Sequence, residues 1–254
     1  MHNQPLYINP IPAFQDNYIW LLHNRCDAIV IDPGDAKPVM AALEAQQLKL
    51  RQILITHHHN DHIGGVVELL QSYPAQVYAP KYEQYAFEHI ALSDGDEITI
   101  PTLGLSFKVL WLPGHTNGHI AYQNNVYLFS GDVLFSAGCG RLFEGTPEEM
   151  LHSLNRLKKL NPTTQVFCTH EYTLKNIEFA LTLEPTNPAL QARKIEALQL
   201  RQTNQPTLPT TIETELNINP FLRCDQEEII KNSNAQTIDE LAVFTCIRNL
   251  RNHY

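Results

Sequence analysis

The six residues His57-His58-His59-Asn60-Asp61-His62 put four imidazoles and one carboxylate just after the apolar run 52–55 and Thr56. Side chains alternate across an extended chain, so His57 and His59 are expected on one side and His58 on the other. His58 is therefore not expected as a ligand. Asp61 and His62 follow as the chain turns towards a helix, where Gly64-Gly65 lets backbone pack closely. The spacing allows two ligand pairs, His57 with His59 and Asp61 with His62. The other reading, a solvated polar loop or tag-like run, fits poorly, because the cluster is mid-chain with no low-complexity flank.

Short β-rich runs alternate with helical stretches on both sides of this cluster. Residues 19–22, 28–31, 52–56, 77–79, 105–111, 120–122, 126–130 and 166–169 read as strands. Helices are expected over 36–47, 64–72 and 147–160, the last with Thr146 as N-cap. Asp32-Pro33-Gly34-Asp35 and Asp94-Gly95-Asp96 carry turn chemistry. Three of the later strands each end at a further possible ligand, namely His115, Asp132 and His170. With the first four they make seven ligands for two metals, and Asp132 can bridge because a carboxylate has two oxygens. Beyond about residue 173 strand-like runs largely stop, and 189–202 and 237–251 look helical. This places a boundary between a domain 1–172 and a helical domain 173–254.

Composition narrows the partners. Lys and Arg total 18 against 27 Asp and Glu, a formal charge of −9, which speaks against a nucleic-acid backbone. No stretch approaches ~18 uninterrupted apolar residues, so no conventional membrane span is expected. Residues 1–12 lack a basic start followed by an apolar run, so no signal peptide is expected. Five scattered cysteines without a CxxC spacing suit free thiols in the cytoplasm. Nothing demands more than a monomer.

The pattern of His57, His59, Asp61 and His62, followed by His115, Asp132 and His170, resembles the metallo-β-lactamase superfamily. The Asp32-Pro33-Gly34 turn is similar to that family's as well. The resemblance implies an α/β fold of four layers, an αβ/βα sandwich with the site at one rim. It narrows further on the segment 136–146, on Thr169-His170-Glu171-Tyr172-Thr173, on the N-terminal 11–18 and on the helical C-terminal part. All of these look like glyoxalase II, the hydroxyacylglutathione thioesterases, across essentially the whole chain.

That resemblance implies one metal held by His57, His59 and His115, a second by Asp61, His62 and His170, and Asp132 shared. Zinc is the default, with iron and manganese open to the same ligand types. The implied reaction is attack of a metal-bridging hydroxide on a glutathione thioester such as (S)-lactoylglutathione, giving glutathione and D-lactate. Asp61 is expected to help orient the nucleophile. Arg141, Phe143, Tyr172, Arg248 and Arg251 are the implied substrate contacts. Phe143 stands where better-known members carry a tyrosine, and Arg141 and Arg251 stand where they carry lysines. His119 is expected beside the ligands and not among them. The alternatives on this fold are a mononuclear-iron persulfide dioxygenase or another hydrolase. A protein with purely structural metals fits less well, because no cysteine joins the ligand set.

Overall fold

In the computed structural model, which describes residues 5–254, the first sheet is laid down in chain order. Its strands are β1 (Tyr7–Ala13), β2 (Asn17–His23), β3 (Asp27–Ile31), β4 (Lys49–Leu54), β5 (Gln76–Pro80) and β6 (Ile90–Leu92). Residues 1–4, the start of the segment expected to lack a signal peptide, lie outside the described residues. The first three strands pair antiparallel and β3 to β6 pair parallel. A parallel return needs a long crossover. The first is α1 (Ala36–Ala45), and the second contains α2 (Asn60–Ile63) and α3 (Val66–Ser72). Strand β1 was not expected, because Pro10 and Pro12 each remove a ladder donor. It is tolerated because β1 is the sheet edge and pairs with β2 alone.

All of β2 and residues 28–31 of β3 are buried, so both faces of this sheet are covered. On one face Val39 and Leu43 of α1 and Val66 and Leu69 of α3 join Ile19, Leu21, Val30 and Ile53 in one core. Each such aliphatic side chain contributes about 1.5–3 kcal/mol when fully buried. A second set of strands forms an antiparallel meander: β7 (Glu97–Ile100), β8 (Leu105–Trp111), β9 (Ile120–Gln123) and β10 (Tyr127–Gly131). The expected turn is present before β7, with Gly95 at φ +83° and the Asp96 N–H donating to the Ser93 carbonyl at 3.2 Å. Residues up to Trp111, with Gly118–Asn124 and Leu128–Gly131, make up the first compact unit.

The second unit comprises Leu112–Asn117, Asn125–Tyr127 and Asp132–Tyr254. It opens with a small hairpin of β11 (Leu134–Phe135) and β12 (Gly138–Cys139). Then follow α4 (Pro147–Leu157), β13 (Gln165–Cys168), α5 (Thr173–Leu183), α6 (Pro188–Gln202), β14 (Thr210–Thr211), α7 (Ile212–Ile218), α8 (Glu227–Asn232) and α9 (Glu240–Asn252). Thr146 caps α4 as expected and forms a reciprocal capping box with Glu149. The last helix begins at Glu240 and not at 237, because the Asp239 carboxylate accepts the Ala242 N–H at 3.0 Å and fixes the start there. Helix α5 lacks any side-chain cap at Tyr172, so it carried no start signal.

One buried carboxylate ties this unit together. Glu215 is fully buried and accepts from the Ala137 N–H, the Thr210 hydroxyl and the Asn219 amide. Asn219 in turn donates to the carbonyls of Phe135 and Gly138, which pins the β11–β12 hairpin. Burial pushes the Glu215 pKa up, and its hydrogen bonds oppose that shift only in part. All five cysteines are free thiols. No helix among the described residues is long and apolar enough to cross a membrane.

Candidate metal centre and anion cavity

The histidine run sits just past β4, which ends at Leu54, two residues before the expected end. The backbone stays extended beyond it, with His59 at φ −60°, ψ 143°, so the alternation argument still holds. The rings of His57 and His59 lie with centroids 4.6 Å apart, and His57 Nε2 is 3.0 Å from His59 Nδ1. His58 turns away to Glu83, 3.1 Å from its Oε1. Asp61 and His62 occupy the first turn of α2, with the His62 ring 4.0 Å from that of His57. Asn17 donates to Asp61 Oδ2 at 3.0 Å and holds that carboxylate in place. His119 is fully buried and stacks on His57 at 4.8 Å.

Asp32, read from sequence only as a turn residue, orients two rings of this cluster. It is buried, and it accepts from the Thr56 N–H at 2.8 Å and the Thr56 hydroxyl at 2.7 Å. His62 Nδ1 lies 2.9 Å from the same carboxylate, which can only accept, so the Nδ1 proton is fixed and Nε2 keeps its lone pair. The Thr56 hydroxyl spends its proton on Asp32, so it accepts from His57 Nδ1 at 3.0 Å. One carboxylate thus orients both rings with Nε2 as the nitrogen available to a metal, the usual outer support of ligating histidines. Close glycine packing makes this possible. A Cβ on Gly34 would fall 1.9 Å from the Asp61 carbonyl, and one on Gly65 2.4 Å from the Ala36 nitrogen.

In the second unit Asp132 Oδ2 lies 3.4 Å from His115 Nε2 and 3.3 Å from His170 Nε2. His115 Nδ1 donates to the Arg141 carbonyl at 2.8 Å, so its Nε2 too is left as the lone-pair nitrogen. Gly140 is required here, because a Cβ would stand 1.9 Å from the Asp132 carbonyl and 3.1 Å from His115 Nδ1. His170 stacks on Tyr172 with centroids 4.6 Å apart and planes 3° from parallel. In each unit, then, imidazoles converge with carboxylates. This donor set suits divalent ions of the zinc, iron or manganese kind.

The same unit contains a cavity of about 250 Å³ with His115 and Asp132 in its wall. Arg141, Phe143, Tyr172, Arg248 and Arg251 all line it, so the five sequence-derived contacts come together. The basic pair on α9 is not a solvated helix face. Arg248 is 5% exposed, lies over the Phe221 ring at 5.1 Å and donates to the Cys139 carbonyl at 2.8 Å. Arg251 lies over the Phe179 ring at 5.8 Å and donates to Asn176 Oδ1 at 3.2 Å. Burial and the neighbouring Arg248 charge draw the Arg251 pKa down. Phe143 is exposed, its ring edge-on to His115 at 5.3 Å. Asn176 also lines this cavity, and its sequence context gave no signal of it.

The profile of the metallo-β-lactamase superfamily matches residues 14–170, which establishes the class and the expected αβ/βα fold. Among solved structures, the B3 metallo-β-lactamase BLEG-1 is 27% identical over 85% of this chain and 100% of its own, with a TM-score of 0.65. The protein TTHA1623, described in a di-iron-bound form, is 26% identical over 84% of this chain and 100% of its own, with a TM-score of 0.61. The profile "Hydroxyacylglutathione hydrolase C-terminus" matches residues 171–254. A hydroxyacylglutathione hydrolase of Methylobacillus flagellatus is 53% identical over 97% of this chain and 99% of its own. One of Vibrio campbellii is 50% identical over 98% and 100%. The chain belongs to the hydroxyacylglutathione hydrolase family.

Proposed function

We propose that the protein is a metal-dependent thioesterase that hydrolyses S-(2-hydroxyacyl)glutathione, with S-D-lactoylglutathione giving glutathione and D-lactate. The observation that carries this is the cavity in which three guanidinium groups share a wall with His115 and Asp132. Glutathione carries two carboxylates, and guanidinium pairs with them in charge-assisted hydrogen bonds. Membership of a hydrolase family favours this reading over a persulfide dioxygenase.

His57, His59 and His115 would hold one divalent ion, Asp61, His62 and His170 a second, with Asp132 shared between them. Zinc is the expected metal. When bound, two such ions lower the pKa of a water and polarise a carbonyl. The residues do the rest. Asp61, steadied by Asn17, orients the attacking water. Arg141, Arg248 and Arg251 bind the carboxylates of the thiol part, Tyr172 packs along it, and Phe143 offers an apolar face without a hydroxyl. Water adds to the thioester carbonyl and the C–S bond breaks. The departing thiolate has a parent pKa of ~8.5, so no side chain has to protonate it. Residues 1–172 would thus supply the ligands together with Arg141, Phe143 and Tyr172, and 173–254 would add Arg248 and Arg251, in a monomeric cytoplasmic enzyme.

The test is hydrolysis of S-D-lactoylglutathione by purified protein with metal measured on the same sample. The expected result is turnover with about two ions per chain, lost on chelation and restored by zinc. Full metal content without thioester cleavage would overturn the reading.

A further inference from the structure

The segment 170–172 carries two residues of the candidate site on one side of the chain. The rings of His170 and Tyr172 stack at 4.6 Å, and Phe135 meets both edge-on at 5.8 and 5.5 Å. Alternation sends Glu171, between them, to the other side. There its carboxylate accepts the Thr207 N–H at 2.8 Å and the Thr207 hydroxyl, with Arg201 Nη1 3.8 Å away. One hydroxyl has one proton, and the carboxylate takes it. The 2.6 Å bond between Thr207 and Thr173 therefore uses the proton of Thr173. The Thr207 carbonyl accepts from Arg193 Nη2 at 2.6 Å, and Arg193 is a buried residue of α6.

We infer that Thr207 is a positioning residue: held by α6, it grips Glu171 and Thr173 and so fixes the segment that presents His170 to Asp132 and Tyr172 to the cavity. The N–H, hydroxyl and carbonyl of Thr207 all serve this grip. Residues 171 and 207 are 36 positions apart, and only the fold brings them together. The same grip fixes the start of α5, whose first residue is Thr173 and which has no side-chain cap at Tyr172. The Glu171 side chain is 10% exposed, so water does not freely replace a lost donor there, and a buried acceptor left short is costly. The segment would shift to regain one and carry both rings with it. Thr207 itself touches no reacting atom.

This inference rests on the metal-dependent thioesterase reading for what is positioned, so each variant is compared with a parent measured in the same way. Thr207→Val keeps the shape and the backbone N–H and removes the hydroxyl, whereas Thr207→Ser keeps the hydroxyl. Urea midpoints report the stability of each protein. Zinc titrated by calorimetry into chelator-stripped Thr207→Val should show one of the two binding events weakened about ten-fold and the other held. Glutathione titrated into the zinc-loaded protein should show Kd raised about three-fold or more. Thr207→Ser should bring both values back towards the parent's. A lowered urea midpoint with both Kd values unchanged would mean a merely structural role and overturn the inference. So would a serine variant as impaired as the valine one. Glu171→Gln, which turns one acceptor oxygen into a donor facing Thr207, should weaken the same zinc event, and keeps the test open if Thr207→Val does not fold. Parent-like zinc binding in Glu171→Gln overturns the inference as well. A parent that takes up zinc yet neither binds glutathione nor cleaves its lactoyl thioester overturns the proposed function, and the zinc titrations then decide the placement of Thr207 alone.

Discussion

Asp32→Asn isolates the work of one oxygen atom. The substitution keeps the shape, and asparagine tolerates the left-handed backbone at this position, φ +52°. Its amide oxygen can still accept the Thr56 N–H. The other oxygen becomes an NH2 that can only donate, and it faces the Thr56 hydroxyl and His62 Nδ1. Nδ1 then has to shed its proton to Nε2, the atom proposed to face a metal. The hydroxyl of Thr56, now an acceptor from the amide, no longer fixes His57 either. Hydrogen bonds to charged groups are worth about 1.5–3 kcal/mol. Restoring the tautomer against that preference corresponds to roughly a 10- to 150-fold loss of metal affinity. Outer-shell substitutions of this kind generally cost about 10–100-fold. The assay is calorimetric titration of chelator-stripped protein with zinc, with a thermal melt on the same samples. A variant that binds both ions as tightly as the parent would refute the argument that Asp32 sets the ring tautomers.

Two further substitutions probe the packing under the site. Gly131 has φ +50°, and a Cβ there would stand 2.5 Å from Thr56 Oγ1 and 2.7 Å from His119 Nε2. Gly131→Ala should therefore cost about 2 kcal/mol or more from backbone strain and overpacking together, read as a drop in denaturation midpoint. An unchanged midpoint would show that the two loops can yield. The raised pKa of Glu215 makes stability depend on pH with a definite sign. The folded protein holds this proton where the unfolded chain has released it. The contribution is therefore complete below the ordinary value of 4.5 and is lost as pH rises through the higher folded value. Glu215→Gln should flatten that decline in urea unfolding measured across weakly acid pH, and an identical slope in the variant would show that another group is responsible.

The proposed ligands were legible in sequence because their information is local. Four of them fall within six residues, and His115, Asp132 and His170 each follow a strand-like run. The supporting residues were not, because their partners are remote in the chain. Asp32 serves His62 across 30 positions, Asn17 serves Asp61 across 44, and Asn176 serves Arg251 across 75. Each looks like an ordinary turn or helix residue until the chain is folded. The elements missed follow the same logic. Strand β1 is hidden by prolines that only an edge position accommodates, and α5 starts without a cap. Arg248 and Arg251 show the converse case. Their spacing alone does not tell a solvated helix face from a binding wall, and the aromatic rings beneath them, supplied by other elements, make that face an interior wall.

Those rings have a thermodynamic consequence. A free arginine side chain carries about 2 kcal/mol of rotamer entropy, which a ligand normally has to quench. Here Arg248 is already sandwiched between the Phe221 ring and two carbonyls, and Arg251 rests between Phe179 and Asn176. Their freedom is surrendered when the helix docks, so an anion of the proposed substrate would meet cations that are already still. Binding strength is therefore partly a property of folding in this unit. On the proposed function, a substitution that loosens α9 should weaken capture of the anion without removing any group that touches it.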